Sequence, residues 1–217
     1  MAPILLMNPN ANAATTAMMC AIAATRLAVA PTPWTAPAGP GMITTRRELA
    51  RAADTIAGAD IEVWPRVIIV SAFGDPGALR LSRRAPCPVV GIAAAAAREA
   101  SSAGGGFAVA TTTPALRPTI DSLMTHYADR GCYLGCFSSP DDPVALAADE
   151  AALDRALIAQ IEAACEAGAS RVVIGGGPLG AAAERLREIS PVPLINPILS
   201  AADEVRRMIG MEEPRNR

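Results

Sequence analysis

The sequence predicts an α/β protein of two pseudo-symmetric halves, each a parallel sheet flanked by helices, with the site in the cleft between them. Three observations predict it. Short apolar runs alternate with longer Ala-rich amphipathic stretches along the chain, the pattern of parallel strands joined by covering helices. The pattern also repeats. A shift of 105 residues lays Arg66-Val67-Ile68-Ile69 on Arg171-Val172-Val173-Ile174, and Cys87-Pro88-Val89 on Val192-Pro193-Leu194. Finally, the run Ser101-Ser102-Ala103-Gly104-Gly105-Gly106 reads as a joint between two similar units.

In chain order, the first half opens on an apolar strand at 4–7 and an Ala-rich helix at 13–24. A strand at 27–30 and a helix at 44–57 follow, then the aliphatic strand 67–70, a helix at 77–84 and a strand at 89–92. A helix at 93–101 leads to the joint, and the rest of the chain carries helices at 116–128, 149–167, 180–188 and 199–210 around strands at 107–110, 172–174 and 194–195. Each strand is a short apolar run bounded by turn residues, and each helix keeps an apolar face at helical spacing. The expected organisation is a first α/β half at 1–100, a second at 101–200, and a C-terminal helix at 201–217 packing back on the first.

Composition narrows the chemistry. The chain has 217 residues, and all 19 of its basic side chains are Arg. Without Lys there is no Schiff base, pyridoxal aldimine or phosphate-loop lysine. The single His, His126, leaves no multi-histidine metal site. A net charge of −2 gives no electrostatic footprint for nucleic acid. The apolar stretches are broken by charge before the ~20 residues that a membrane span needs, and no targeting signal is seen. Five cysteines without a signal peptide suit reduced thiols in the cytoplasm. No metal is expected, since Cys132 and Cys136 have no histidine nearby.

In parallel sheets, ligands sit beyond the C-terminal ends of the strands, where helix N-termini present unpaired N–H groups. The repeat names four such corners: Asn8-Pro9-Asn10, Ser71 to Asp75, Thr111-Thr112-Thr113 and Gly175-Gly176-Gly177. Together they would form a pocket friendly to a carboxylate or enolate oxygen. Asn8 and Asn10 either hold a ligand edge or cap the helix at 13–24. By the repeat, Ser71 matches Gly176, so its hydroxyl faces the cleft or closes its own turn. Thr111 and Thr112 offer strand-end hydroxyls, and the three glycines allow backbone to approach a ligand closely. Asp75 is the first candidate acid or base by position, against an N-cap at the following helix. The Pro-rich loop 31–40, with Trp34, is either a cover over the cleft or a packed connector.

These corners resemble the aspartate/glutamate/hydantoin racemase superfamily, and its hydantoin racemase branch most of all. The specific matches are Leu5-Leu6-Met7-Asn8-Pro9-Asn10 and Phe73-Gly74-Asp75-Pro76-Gly77. Thr35-Ala36-Pro37 with Gly39-Pro40, Val109-Ala110-Thr111-Thr112, and Ile174-Gly175 leading to Ala183-Glu184-Arg185-Leu186 follow in order. The resemblance implies a cofactor-free enzyme on a small-molecule substrate, with homo-oligomerisation, and substrate-binding roles for Asn8, Asn10, Pro40, Phe73, Thr111, Thr112, Gly175 and Gly177. It also implies two cysteines, one removing and one returning the proton alpha to a carbonyl. By the motif anchors those cysteines belong at Ala72 and Gly176, and neither residue moves a proton. With Ser71 and Asp75 the remaining catalytic candidates, three readings stay open. One is a cofactor-independent enzyme stabilising an enolate-like anion without the cysteine pair, by lyase, decarboxylase or isomerase chemistry. Another is a racemase or epimerase using other acids and bases, and the third is a non-catalytic carboxylate binder.

Overall fold

The computed structural model describes residues 4–102, 104–128 and 132–212. It contains two four-stranded sheets, parallel throughout. The first is built from β1 (Ile4–Asn8), α1 (Ala13–Ala24), β2 (Thr32–Thr35), α2 (Arg46–Ala57), β3 (Val67–Val70), α3 (Ala78–Ser82) and β4 (Val89–Gly91), with strand order β2-β1-β3-β4. After α4 (Ile92–Ser102) comes β5 (Gly106–Thr111), a 3-10 turn at Pro114–Leu116, α5 (Arg117–Tyr127), β6 (Cys132–Ser138), α6 (Pro143–Ala148) and α7 (Glu150–Glu166). Then β7 (Arg171–Ile174), α8 (Gly180–Leu186), β8 (Leu194–Ile195) and α9 (Pro197–Glu212) complete the order β6-β5-β7-β8. The two strand orders are the same pattern, so the fold is the two-half α/β architecture expected from the repeat.

The central strands β3 and β7 read as aliphatic runs because both faces of each sheet are covered by helices, and Val67 to Val70 and Val172 to Ile174 are buried. Helix starts follow local chemistry. The Asn12 side chain accepts from Thr15 N–H at α1, Thr45 and Glu48 form a reciprocal capping box at α2, and Asp149 accepts from Ala152 N–H at α7, which satisfies N–H groups that the first turn leaves unpaired.

The edge elements differ from expectation. Residues 27–30 are bent, irregular chain, and the edge strand is β2, paired in register Leu5↔Thr32. Pro33 inside it hides the strand signal, yet an edge strand tolerates a proline because one side of it needs no donor. The sequence pattern missed β6, where Gly135 at φ 126 and a register shift between Phe107 and Val109 break the alternation. It also missed α6, six residues long and started by Asp142 with Pro143 behind it.

Helices α4 and α9 join the two halves. Ala93, Ala96, Ala97 and Ala100 of α4 pack with Phe107, Val109, Ile120 and Val173 of the second half. Ala95 turns the other way, into a core shared by Leu6, Ile69 and the α9 residues Ile198, Ala201, Ala202 and Val205. Side chains this small let helix and sheet backbones approach closely on two faces at once, which accounts for the alanine run. Arg98 of α4 clamps Glu204 of α9 through its Nε and Nη2 edge at 2.7–3.2 Å.

Candidate active site

Equivalent hydrogen bonds fix how the halves correspond at the cleft. Ser71 N–H donates to Met7 O, as Gly175 N–H donates to Ala110 O. Ala36 N–H donates to Asn8 O, as Ser139 N–H donates to Thr111 O. Ser71 therefore matches Gly175, one residue earlier than the constant 105-residue shift places it, because the offset drifts by a residue from strand to strand. With that correction Ala72 and Gly176 become equivalent, and both stand on the cleft wall.

The cleft holds about 460 Å³ of empty space, its mouth included. Its polar wall is Asn10, Thr111, Thr112, Thr113 and the backbone of Gly175 to Gly177. Its apolar wall comes from Met42, Ile43, Leu49 and Phe73 on one side and Leu116, Ile120 and Leu179 on the other. Of the residues singled out in the sequence, Asn10, Ala72, Phe73, Thr111, Thr112, Gly175, Gly176 and Gly177 meet here. None of the loop 31–40, read as either a cover or a packed connector, lines the cleft, whereas Met42 and Ile43 just after it do. Thr113 belongs to the corner that the repeat named, while Met42 and the aliphatic residues Leu49, Leu116, Ile120 and Leu179 carried no sequence signal beyond ordinary core hydrophobicity.

The remaining candidates stand off the wall. Asn8 is fully buried and accepts from both Asn10 N–H and Asn10 Nδ2, at 3.0 Å each, while its Nδ2 donates to Thr16 Oγ1 at 3.0 Å and to Asn12 O at 3.3 Å. It shapes the loop that presents Asn10. Ser71 donates its hydroxyl to the sulfur of Met19 at 3.0 Å, away from the cleft. Pro40 lines a separate groove with Pro9, Glu48 and Arg51, and its carbonyl accepts from Ala11 N–H. His126 is exposed in the last turn of α5, edge-on to Tyr127.

Asp75 caps a helix, but not the one that follows it. Its two carboxylate oxygens accept from Ala93 and Ala94 N–H at 2.9 and 2.8 Å, at the start of α4. It does so from φ 47, the left-handed region where a non-glycine residue is strained. The sequence pattern pointed to the nearer helix because the proximity of Gly91 and α4 depends on the fold. A β-carbon on Gly91 would overlap the Asp75 carboxyl, so glycine is required there. Burial pushes the Asp75 carboxyl up to about 7, outweighing the pull of the two N–H groups and of Arg98.

The free hydrogen-bonding capacity of the wall follows by elimination. Thr111 donates its one hydroxyl proton to Gly175 O at 2.7 Å, so in the 3.2 Å contact between Thr111 and Thr113 it is Thr113 that donates. Thr112 Oγ1 is buried and has no partner among the described residues. Asn10 uses one Nδ2 proton on Asn8, and its oxygen accepts from Ile43 N–H, which leaves the second amide proton. The N–H groups of Ala72, Phe73 and Gly177 likewise make no hydrogen bond among the described residues. Every one of these donors is neutral, and no acid, base or thiol is among the described residues of the wall. Cys136 is buried in the second-half core with its thiol pushed up to about 12, and burial raises Cys20 and Cys87 too, so none of these three sulfurs is activated. No metal-binding cluster occurs among the described residues, and no helix there is long and apolar enough to cross a membrane.

A β-carbon would be crowded at three points of the wall. A β-carbon on Gly175 would stand 2.5 Å from Val109 Cγ1, one on Gly177 would stand 2.9 Å from Ser71 O, and one on Gly176 would stand 2.9 Å from Leu179 Cγ. The Gly177 contact brings the strand-end turns of the two halves together.

Comparison with known proteins agrees with this architecture. The chain is 31% identical over 145 residues to a hydantoin racemase of Rhizobium meliloti, 65% of this chain and 59% of that enzyme, so the match spans about three fifths of the relative's length. It is 29% identical over 160 residues to a hydantoin racemase of Paenarthrobacter aurescens, 73% of this chain and 67% of that one. Its fold is similar to that of allantoin racemase from Pseudomonas fluorescens, with a TM-score of 0.84 at 24% identity over 96% of this chain and 91% of the other. Arylmalonate decarboxylase shares the fold at a TM-score of 0.57 and 14% identity, over 97% of this chain and 94% of that one. The model of the Asp/Glu/Hydantoin racemase family matches residues 4–205, and the chain belongs to that family.

Proposed function

We propose that the chain is a cofactor-independent enzyme that binds a small carboxylate or cyclic amide in this cleft and stabilises its enolate-like anion with neutral donors, without a cysteine pair. The single observation that carries the reading is the composition of the wall. Thr112 Oγ1, the second Asn10 amide proton and the N–H groups of Ala72, Phe73 and Gly177 have no partner among the described residues, and all belong to residues that line the cleft, drawn from both halves and set beside aliphatic side chains. Neutral donors held in a dry site stabilise developing negative charge strongly, because they need no reorganisation when it appears. Deprotonating a carbon needs a base within hydrogen-bond reach, and Ala72 and Gly176 offer none where the resemblance places the two cysteines.

Of the lyase and isomerase chemistries open to such a site, decarboxylation needs least from the side chains. The bond from the alpha carbon to a carboxylate breaks, and its electron pair enters the enolate. Carbon dioxide leaves, and solvent water returns the proton to carbon. An apolar wall favours this step by destabilising the departing carboxylate relative to the spread charge of the enolate. In this reading Ser71 and Asp75 are positioning residues: Ser71 holds the β3 turn against α1, and Asp75 fixes α4 beside it.

The test is carbon dioxide release from a panel of 2-substituted malonates, beside calorimetric binding of the same compounds. Release above the uncatalysed rate supports the enzyme reading. Binding without release leaves a carboxylate-binding protein in its place, and neither binding nor release overturns the assignment of the cleft.

A further inference from the structure

Beside the cleft lies a half-open chamber, and the two share four lining residues: Met42, Thr112, Pro178 and Leu179. Beyond that shared partition stand Thr15, Pro143, Ala147 and Leu153. No charged side chain lines this chamber among the described residues. Its far wall comes from α6 and from the first turn of α7, the helix pair inserted after β6 in the second half. The structural repeat has nothing equivalent in the first half, where β2 runs on to α2 alone. The chamber is therefore an asymmetric addition to a symmetric cleft.

Two features tie it to ligand binding. Thr112 is 1% exposed, borders both cavities, and carries the one buried wall hydroxyl without a partner among the described residues. A buried hydroxyl left unpaired is costly, and a ligand atom at the partition would satisfy it. Leu179 also borders both cavities, and its side chain occupies the space that a β-carbon on Gly176 would need. The side chain that closes the cleft at Gly176 thus forms one wall of the chamber.

We infer that the chamber is a specificity subsite taking an uncharged, mainly apolar arm of the ligand whose polar head occupies the cleft, with Thr112 hydrogen-bonded at the junction and Leu179 and Met42 packed against the arm. The inference rests on the proposed function for the head, and it adds the substituent. A charged arm is disfavoured because the chamber offers no counter-charge to offset its desolvation. An apolar arm gains from burial against Leu153, Pro143 and Leu179.

Calorimetric titration with three probes tests it on the full chain: hydantoin as the head alone, 5-isobutylhydantoin as the uncharged arm, and hydantoin-5-acetate as the charged one. The unaltered protein is expected to bind the isobutyl compound at least tenfold more tightly than hydantoin, and the acetate more weakly than the isobutyl compound. Ala147→Phe, at an exposed position of α6, fills the chamber and should cost the isobutyl compound tenfold more affinity than it costs hydantoin. Leu153→Ala, which removes apolar surface from the chamber, should narrow the gap in affinity between the isobutyl compound and hydantoin. Equal affinity for hydantoin and its isobutyl derivative, or equal losses in the Ala147→Phe variant, would overturn the subsite while leaving the head reading intact. Binding of none of the probes by the unaltered protein overturns both.

Discussion

Leu179 Cγ lies 2.9 Å from the point where a β-carbon on Gly176 would stand. The space beside Gly176 is already taken, so a larger residue there requires the Leu179 side chain to move. Gly176→Cys alone should destabilise the chain by about 1–3 kcal/mol, the usual cost of overpacking, and adding Leu179→Ala should recover part of that loss. Denaturant unfolding of the single and double variants measures it. With Ala72→Cys also present, the triple variant regains a thiol on each wall and should exchange the ring α-hydrogen of a 5-substituted hydantoin with deuterium oxide. No exchange in a folded triple variant would count against the placement of the two cysteine positions.

Thr112→Val replaces an unpartnered buried hydroxyl by a methyl group of similar shape. The apo protein should become more stable, by about 1 kcal/mol, because an unsatisfied polar group is removed. Ligand affinity should fall at the same time, since the junction donor is lost. Stability and affinity moving in opposite directions is the signature, read by thermal unfolding and calorimetry on one preparation. A purely structural threonine would show no loss of affinity.

The Asp75 carboxyl sits at about 7 in the folded chain against an ordinary 3.8, through burial. The folded state therefore holds this proton more tightly than the unfolded chain does. The contribution to stability is fully present below the ordinary value and declines as pH rises through that window to about 7. Asp75→Asn removes the titration, so the stability difference between unaltered protein and variant should shrink as pH is raised from about 4 to about 7. Urea unfolding at several pH values within the window reads the trend, and a difference that grows with pH would contradict it.

Gly91→Ala forces the Asp75 carboxyl away from the α4 N-terminus. A loss of more than about 2 kcal/mol is expected, in line with breaking a cap and overpacking a buried site. Asp75→Ala combined with Gly91→Ala should cost less than the two single losses added, because one steric conflict is shared. Additive losses would show that the two residues act independently.

The repeat made the two sheets legible, because an offset of about one hundred residues carried both aliphatic strands Val67–Val70 and Arg171–Ile174 and the turns after them. It misplaced Ser71 by one residue, since a sequence offset is constant while hydrogen-bond register is not. Edge elements such as β2 and α6 escaped because proline and short length erase their periodicity. The polar corner residues Asn10, Thr111 and Thr112 were legible as strand ends. The partner of Asp75 was not, for Gly91 and α4 reach it only through the fold. Leu179 and Met42 looked like ordinary core, and only the cavity beside them gives them another role.

The central claim is that the cleft stabilises an enolate-like anion with neutral donors and leaves the proton to solvent. It is tested most directly by incubating the unaltered chain with a 2-aryl-2-methylmalonate in deuterium oxide, then following carbon dioxide and the stereochemistry of the monoacid by NMR. Carbon dioxide release and a monoacid deuterated at the alpha carbon and racemic are expected, because no acid stands among the described residues of either wall to favour one face. A monoacid of a single hand would place a proton donor on one wall. Exchange of the α-hydrogen of a 5-substituted hydantoin, without carbon dioxide from the malonate, would show a base at work. Either result would contradict the account.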